Sequence, residues 1–307
     1  MSAQIACLGG ACTDHVLRPA APLRRDGEVP ARSARWYGGV ALNVAENLAR
    51  LDVSAALVTL VGDDDAGRGL LAHARRVGID VRGATSVTGA ATAAYVAILD
   101  EGVPIYALAD MRIFDGFTPA VLDRGWPVIA GARIVFADTN LSAGVLRELG
   151  RRRAGADARF VVGASSVPTI GNLPARLENV DLVFMNEAEA AVYLDVPQLT
   201  ATEAAPALVA RGASIAVVTQ GRAGCVVADP RITTIPPVRA RVVDTTGAGD
   251  ALIAGTLAEL LRGAPIIDAV RAGNVLAAIT VESVGTVAPN ASRALLDARR
   301  RLAASAS

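Results

Sequence analysis

From residue 132 onward, short apolar runs alternate with helical stretches, and this alternation constrains the fold more tightly than any other feature of the sequence. Residues 133–137, 159–162, 181–185 and 214–219 read as strands, while 142–152, 187–194 and 202–211 read as helices. Apolar strands separated by helices predict an α/β fold, with a mainly parallel sheet covered on both faces. Right-handed crossovers then leave the C-terminal ends of the strands as the place for ligands. The first third opens with a strand over 4–8 that ends at Gly9-Gly10, and continues with a helix over 39–51 and a strand over 55–61. A helix over 64–77 has acids in its first turn and Gly78 as its stop.

Two regions stand outside the alternation. Segments of β character run up to Tyr37, interrupted by Pro19, Pro22 and Pro30. Runs over 93–99 and 103–108, joined by Asp100-Glu101-Gly102, carry a hairpin signal. The last third is expected to hold a strand end at Val242-Val243, helices over 249–262 and 265–281, and a polar helix from Ser292. Without a long linker, repeat or low-complexity block, residues 1–307 are expected to form one α/β domain with a small β appendage.

Composition excludes several functions. The 30 basic and 30 acidic side chains balance, which gives no global field for nucleic acid or an anionic membrane. Every basic residue is Arg, so a Walker P-loop, a protein kinase and a Schiff-base enzyme, each of which needs a Lys, are excluded in their usual forms. Cys7, Cys12 and Cys225 form no C-x-x-C pair or standard zinc spacing, and read as reduced structural thiols. His15 and His73 show no ligand spacing, and His73 is expected on a helix surface. The N-terminus lacks a secretory pattern, and no apolar stretch reaches the roughly 18 residues of a membrane helix, so a cytoplasmic location is expected.

The chemistry concentrates in Val242-Val243-Asp244-Thr245-Thr246-Gly247-Ala248-Gly249-Asp250. A Gly-rich turn opening a helix aims backbone N–H groups and the helix dipole at one spot, which suits an anion such as a transferring phosphoryl group. Asp250 falls in the first helical turn beside that spot. A carboxylate there would repel a bound anion, but it could also take the proton of an attacking hydroxyl. An Asp that merely stabilises its own helix start is the other reading, and these residues alone do not separate the two. The dinucleotide pattern G-x-G-x-x-G is matched poorly, because Leu252 stands where a third small residue belongs.

Asp244-Thr245-Thr246-Gly247-Ala248-Gly249-Asp250 resembles the signature of the ribokinase/phosphofructokinase-B family of sugar and nucleoside kinases. Gly38-Gly39-Val40-Ala41-Leu42-Asn43-Val44-Ala45 resembles that family's other signature, about 200 residues earlier and in the expected order. The resemblance covers essentially the whole chain. It implies a ribokinase-like three-layer sandwich with a β lid from about 13–37 and 92–108. It implies Asp250 as catalytic base, with the amides of Gly247, Ala248 and Gly249 as the anion hole. Asp14, Gly38, Gly39 and Asn43 would bind the sugar, while Asp244 and Thr246 would help to hold a monovalent cation, usually K+. Asn186 and Glu189 resemble the family's N-x-x-E element, with Glu189 orienting Mg2+-bound water. Thr219, Gly221 and Gly224 would approach the ATP phosphates, and Asn274 the adenine. Lids of this family often make a homodimer contact.

Softer runs resemble the pseudouridine kinase subgroup: residues 43–51, Ala109-Asp110-Met111-Arg112-Ile113 with Phe117-Thr118-Pro119, and Asp138-Thr139-Asn140-Leu141-Ser142. The implied reaction is 5′-phosphorylation of pseudouridine by ATP. Ribose, another nucleoside or a keto-sugar are alternatives. One departure is that Gly163-Ala164-Ser165-Ser166 stands where those relatives usually carry Asp-Pro, which leaves a non-catalytic nucleoside-binding regulator as an expectation of another class.

Overall fold

The computed structural model describes residues 3–23, 27–100 and 103–305. In chain order the elements are β1 (Ile5–Leu8), β2 (Cys12–Pro19), β3 (Ala31–Gly38), α1 (Val40–Arg50), β4 (Ala55–Val58), β5 (Leu60–Gly62), α2 (Asp65–Arg76), β6 (Thr85–Val87), β7 (Ala94–Asp100) and β8 (Val103–Asp110). They continue with α3 (Pro119–Ile129), β9 (Ile134–Asp138), α4 (Ala143–Arg153), β10 (Arg159–Gly163), β11 (Leu182–Asn186), α5 (Glu187–Leu194), α6 (Ala201–Ala210), β12 (Ile215–Thr219), β13 (Cys225–Asp229), β14 (Arg231–Ile235), α7 (Ala248–Leu261), α8 (Ile266–Val281) and α9 (Arg293–Ser305).

The main sheet runs β14-β13-β12-β11-β10-β9-β1-β4. It is parallel from β12 to β4, and β13 and β14 return antiparallel at one edge. Pleating divides each strand between two cores. Ile5 and Cys7 face one with residues of α1, α2, α7, α8 and α9, while Ala6 and Leu8 face the other with residues of α3, α4, α5 and α6. This is the three-layer α/β sandwich. Phe136 and Phe160 are fully buried, one on each side, and each contributes about 1.5–3 kcal/mol by leaving water. The winding direction reverses between β1 and β9, which opens a crevice at the C-terminal strand ends.

A second sheet, β3-β2-β7-β8, stands apart from the first and is made from the two early regions of β character. Strands β7 and β8 pair antiparallel as a hairpin, whereas Glu101 and Gly102 of the anticipated turn lie outside the described residues.

Several details differ from the pattern-based reading. The single run over 55–61 is two strands, because the buried Thr59 donates its hydroxyl to the Gly9 carbonyl at 2.7 Å; β4 joins the main sheet and β5 pairs with β6. Val242-Val243 is not a strand. Both side chains are exposed, and the Val243 N–H bonds the Val281 carbonyl at the end of α8. Strands β13 and β14 and helix α3 follow no clean period; α3 contains Gly125 and Pro127, both poor internal helix formers. His73 is half-buried rather than on the surface, with Nε2 2.7 Å from the buried Glu46 carboxylate. The three cysteines are buried free thiols.

Candidate active site

Helix α7 brings Asp250 to the crevice. Its N-cap, Gly247, has φ 77°, which favours glycine, and a Cβ there would collide with the Thr286 carbonyl. The turn is therefore fixed by backbone against backbone. Asp244 braces it further, since Oδ1 accepts from the Thr246 N–H at 2.9 Å and hydroxyl at 2.7 Å, while Oδ2 accepts from the Gly285 N–H at 3.2 Å. The first-turn amides of Gly249 and Asp250 have no preceding turn to bond, and so are available to an anion. Behind them, Gly255 packs on Gly273 of α8 so closely that a Cβ would lie 2.8 Å from the Gly273 Cα, which sets the depth of α7.

Asp250 is partly buried and lines a cleft with Gly249, Ser165, Asn186, Glu189 and Thr219. Burial pushes its pKa up to about 7. Asn43 Nδ2, donating to Oδ2 at 2.8 Å, opposes that rise, and the charges of Asp138, Asp14 and Glu189 add to it. At neutral pH such a carboxyl accepts a proton far more readily than an ordinary Asp.

Asp14, Gly38, Gly39 and Asn43 converge at the switch point. Asp14 on β2 is buried, which raises its pKa to about 6, and its Oδ1 accepts from the Cys12 thiol at 3.2 Å. Gly38 leaves room for that carboxylate, since any Cβ would run into it. Gly39, with φ 98°, passes so close to the Gly10 backbone that a side chain has no space. One turn into α1, Asn43 reaches Asp250.

On the other side, Asn186 and Glu189 form a capping box at the start of α5: Glu189 N–H to Asn186 Oδ1 at 2.9 Å, and Asn186 N–H to Glu189 Oε2 at 2.8 Å. Both still line the cleft, and burial holds the Glu189 pKa up. Thr219 lines it from the end of β12, with Gly221 and Gly224 in the following turn. Asn274 does not join them: it is buried on α8, with Nδ2 3.4 Å from the Pro236 carbonyl and beside Cys225. The cleft lining contains two carboxylates and no Arg. Among the described residues no His/Cys/Asp/Glu group could hold a metal ion by itself.

The pfkB family carbohydrate kinase profile matches residues 2–293. The chain belongs to the PfkB family of carbohydrate kinases. This PfkB kinase is 28% identical to the pseudouridine kinase of Escherichia coli over 240 residues, 76% of each chain. It is 30% identical to the ribokinase of Mus musculus over 264 residues, 81% of this chain and 80% of that one. Its fold superposes on a ribokinase from Thermotoga maritima with a TM-score of 0.86 at 20% identity, covering 97% and 99% of the two chains. The ribokinase-like fold and sugar or nucleoside phosphotransfer follow from family membership.

Two residues of this PfkB kinase carry more of the site than their sequence signals indicated. Asp138 ends β9 fully buried, and accepts from the N–H groups of Gly10 at 2.8 Å, Ala41 at 3.0 Å and Asn140 at 2.8 Å, and from Asn140 Nδ2 at 2.9 Å. It caps α1, whose own N-cap is the side-chain-free Gly39. A carboxylate ending an apolar parallel strand was the available signal. Cys12 lies two residues from Asp14 on one strand, a spacing that puts both side chains on one face. In the segment Gly163-Ala164-Ser165-Ser166, Asn140 Nδ2 donates to Ser165 Oγ at 3.2 Å and the Ser165 N–H bonds Thr139 Oγ1 at 2.8 Å, so a neutral network occupies that wall.

Proposed function

We propose that this PfkB kinase transfers the γ-phosphoryl group of ATP to the 5′-hydroxyl of pseudouridine, giving ADP and pseudouridine 5′-phosphate. The observation that carries the chemistry is Asp250, held near neutral pKa at the start of α7 beside free amides. The 5′-oxygen attacks the γ-phosphorus in line and the bond to the β-γ bridging oxygen breaks. The hydroxyl proton passes to Asp250, and the amides of Gly247 and Gly249 offset charge on the moving group, whereas the expected third donor, the Ala248 N–H, is bonded to the Thr245 carbonyl at 3.3 Å. Asp14, Gly38, Gly39 and Asn43 hold the sugar. Asn186, Thr219, Gly221 and Gly224 approach the nucleotide phosphates.

A cleft lined by acids and lacking Arg needs a cation before it accepts a triphosphate. Glu189, which lines the cleft, would hold a phosphate-bound Mg2+ through water. When bound, it would neutralise charge on the phosphates. Asp244 and Thr246 would help to hold K+ behind the anion turn.

The pseudouridine assignment is supported by the runs around Asn43, Met111 and Asp138 and by the Escherichia coli relative. Ribose is the second reading, favoured by the mouse ribokinase match. A coupled ADP-release assay across pseudouridine, uridine, adenosine, ribose and fructose decides between them. The highest kcat/KM is expected for pseudouridine, and faster turnover of ribose rejects it. Tight nucleoside binding with no ADP release from any acceptor would instead indicate a regulator, the reading that Gly163-Ala164 motivates.

A further inference from the structure

The lid carries an aromatic pair that phosphoryl transfer does not use. Asp14 on β2 is in register with Trp36 on β3 on one side and with Tyr95 on β7 on the other. Directly opposed residues of neighbouring strands share a face. Trp36, Asp14 and Tyr95 therefore stand in a row on the face that brings Asp14 towards Asp250. Strands about 4.8 Å apart put the two aromatic residues about 10 Å apart at their backbones, with the carboxylate between them. A flat ring in contact with two others needs about 7–8 Å between them, so a ring seated above the short Asp14 side chain can touch both longer aromatic ones.

Both aromatic residues are half-buried, and among the described residues neither the Trp36 indole N–H nor the Tyr95 hydroxyl has a hydrogen-bond partner. Trp36 faces the open space left by Gly285, its Nε1 3.7 Å from where a Cβ of Gly285 would be, on the loop that Asp244 ties to the anion turn. Tyr95 packs against the core on its own side of the lid.

We infer that Trp36 and Tyr95 form a slot for a flat aromatic base attached to the ribose whose hydroxyls Asp14 holds, so that the site selects nucleosides over free sugars. The inference rests on the proposed nucleoside acceptor and names the residues that select it. A free ribose reaches only the Asp14 carboxylate at the floor of the row and leaves the outer parts of both aromatic rings in water. A pyrimidine covers both, and its ring carbonyls give the indole N–H and the phenol O–H acceptors at the rim.

The test uses Trp36→Leu and Tyr95→Leu, each assayed with pseudouridine, uridine, adenosine and ribose. Loss of base stacking is expected to raise nucleoside KM about tenfold or more while ribose KM stays within about twofold. A second measurement needs no turnover. In a Trp126→Phe background, whose native ring lies under Arg152, Trp36 is the sole tryptophan, and its fluorescence should be quenched by pseudouridine but not by ribose. Equal effects on ribose and nucleosides, or none on either, overturn the slot. Unchanged pseudouridine KM in both Leu variants of an enzyme that turns pseudouridine over removes the slot and leaves the substrate standing. Uridine or adenosine as the better substrate, still weakened by Trp36→Leu, removes pseudouridine and leaves the slot standing. Neither turnover nor quenching with any nucleoside overturns both.

Discussion

Asp250 is poised by burial and by three neighbouring carboxylates, Asp138, Asp14 and Glu189, with Asn43 pulling the other way. A base with a pKa of about 7 makes kcat/KM rise with pH up to near neutrality and then level. Asn43→Ala deletes the hydrogen bond that favours the charged form, so the acid limb should move to higher pH; a limb that stays in place would separate Asn43 from the base. Asp250→Asn should lower kcat by about 10²–10⁴ while nucleotide binding persists, read by single-turnover rates beside nucleotide titrations. The same variant has a stability signature. The folded pKa lies above the unfolded value, so the protonation contribution is full below about pH 4 and is lost as pH rises through about 7. Asp250→Asn escapes that loss, so its Tm should exceed wild type at pH 8 by a margin that shrinks towards pH 4. A margin independent of pH would mean that Asp250 is not perturbed.

At the scale of elements, most of the sheet and the turn into α7 were legible because they obey local rules: apolar runs at strand length, glycines where the backbone turns. What escaped was decided by distant partners. The run over 55–61 looks continuous, yet Thr59 breaks it by bonding Gly9, 50 residues earlier. Val242 and Val243 look like a strand, yet their stretch is held by the end of α8 rather than by the sheet. Helix α1 has no cap in its own sequence, because the cap is Asp138, 97 residues away from Ala41. That cap makes a testable element. Asp138→Ala leaves the Gly10, Ala41 and Asn140 N–H groups without their acceptor, at a cost of about 1–3 kcal/mol per buried group left unpaired. Because α1 carries Asn43 and follows Gly39, KM for the sugar should rise more than KM for ATP. Equal rises in both would make Asp138 a purely structural residue.

For the whole molecule, the sheet β3-β2-β7-β8 has a second face that the cleft does not explain. Alternation puts His15, Leu17, Val96 and Ile98 opposite to the Asp14 face, and register adds Leu108 and Tyr106 of β8 on one flank and the polar Arg35 and Ser33 of β3 on the other, so the apolar part lies on β7 and β8. Leu108 is 65% and Tyr106 62% exposed, at the edge of a thin four-stranded sheet with little else to cover it. An exposed apolar face next to an open edge strand favours association. A second copy of the chain laid face to face would cover both lids at once, with two-fold symmetry. The expected state is therefore a homodimer through the lid. Leu108→Glu puts a charge in the middle of that face and should shift the sedimentation mass from dimer to monomer. With Asp14 in its proposed role of holding the acceptor, splitting the dimer should also raise KM for the acceptor while leaving nucleotide affinity unchanged. A Leu108→Glu protein that sediments like wild type would place the contact elsewhere, and a wild-type monomer would leave the apolar face without a second copy to cover it.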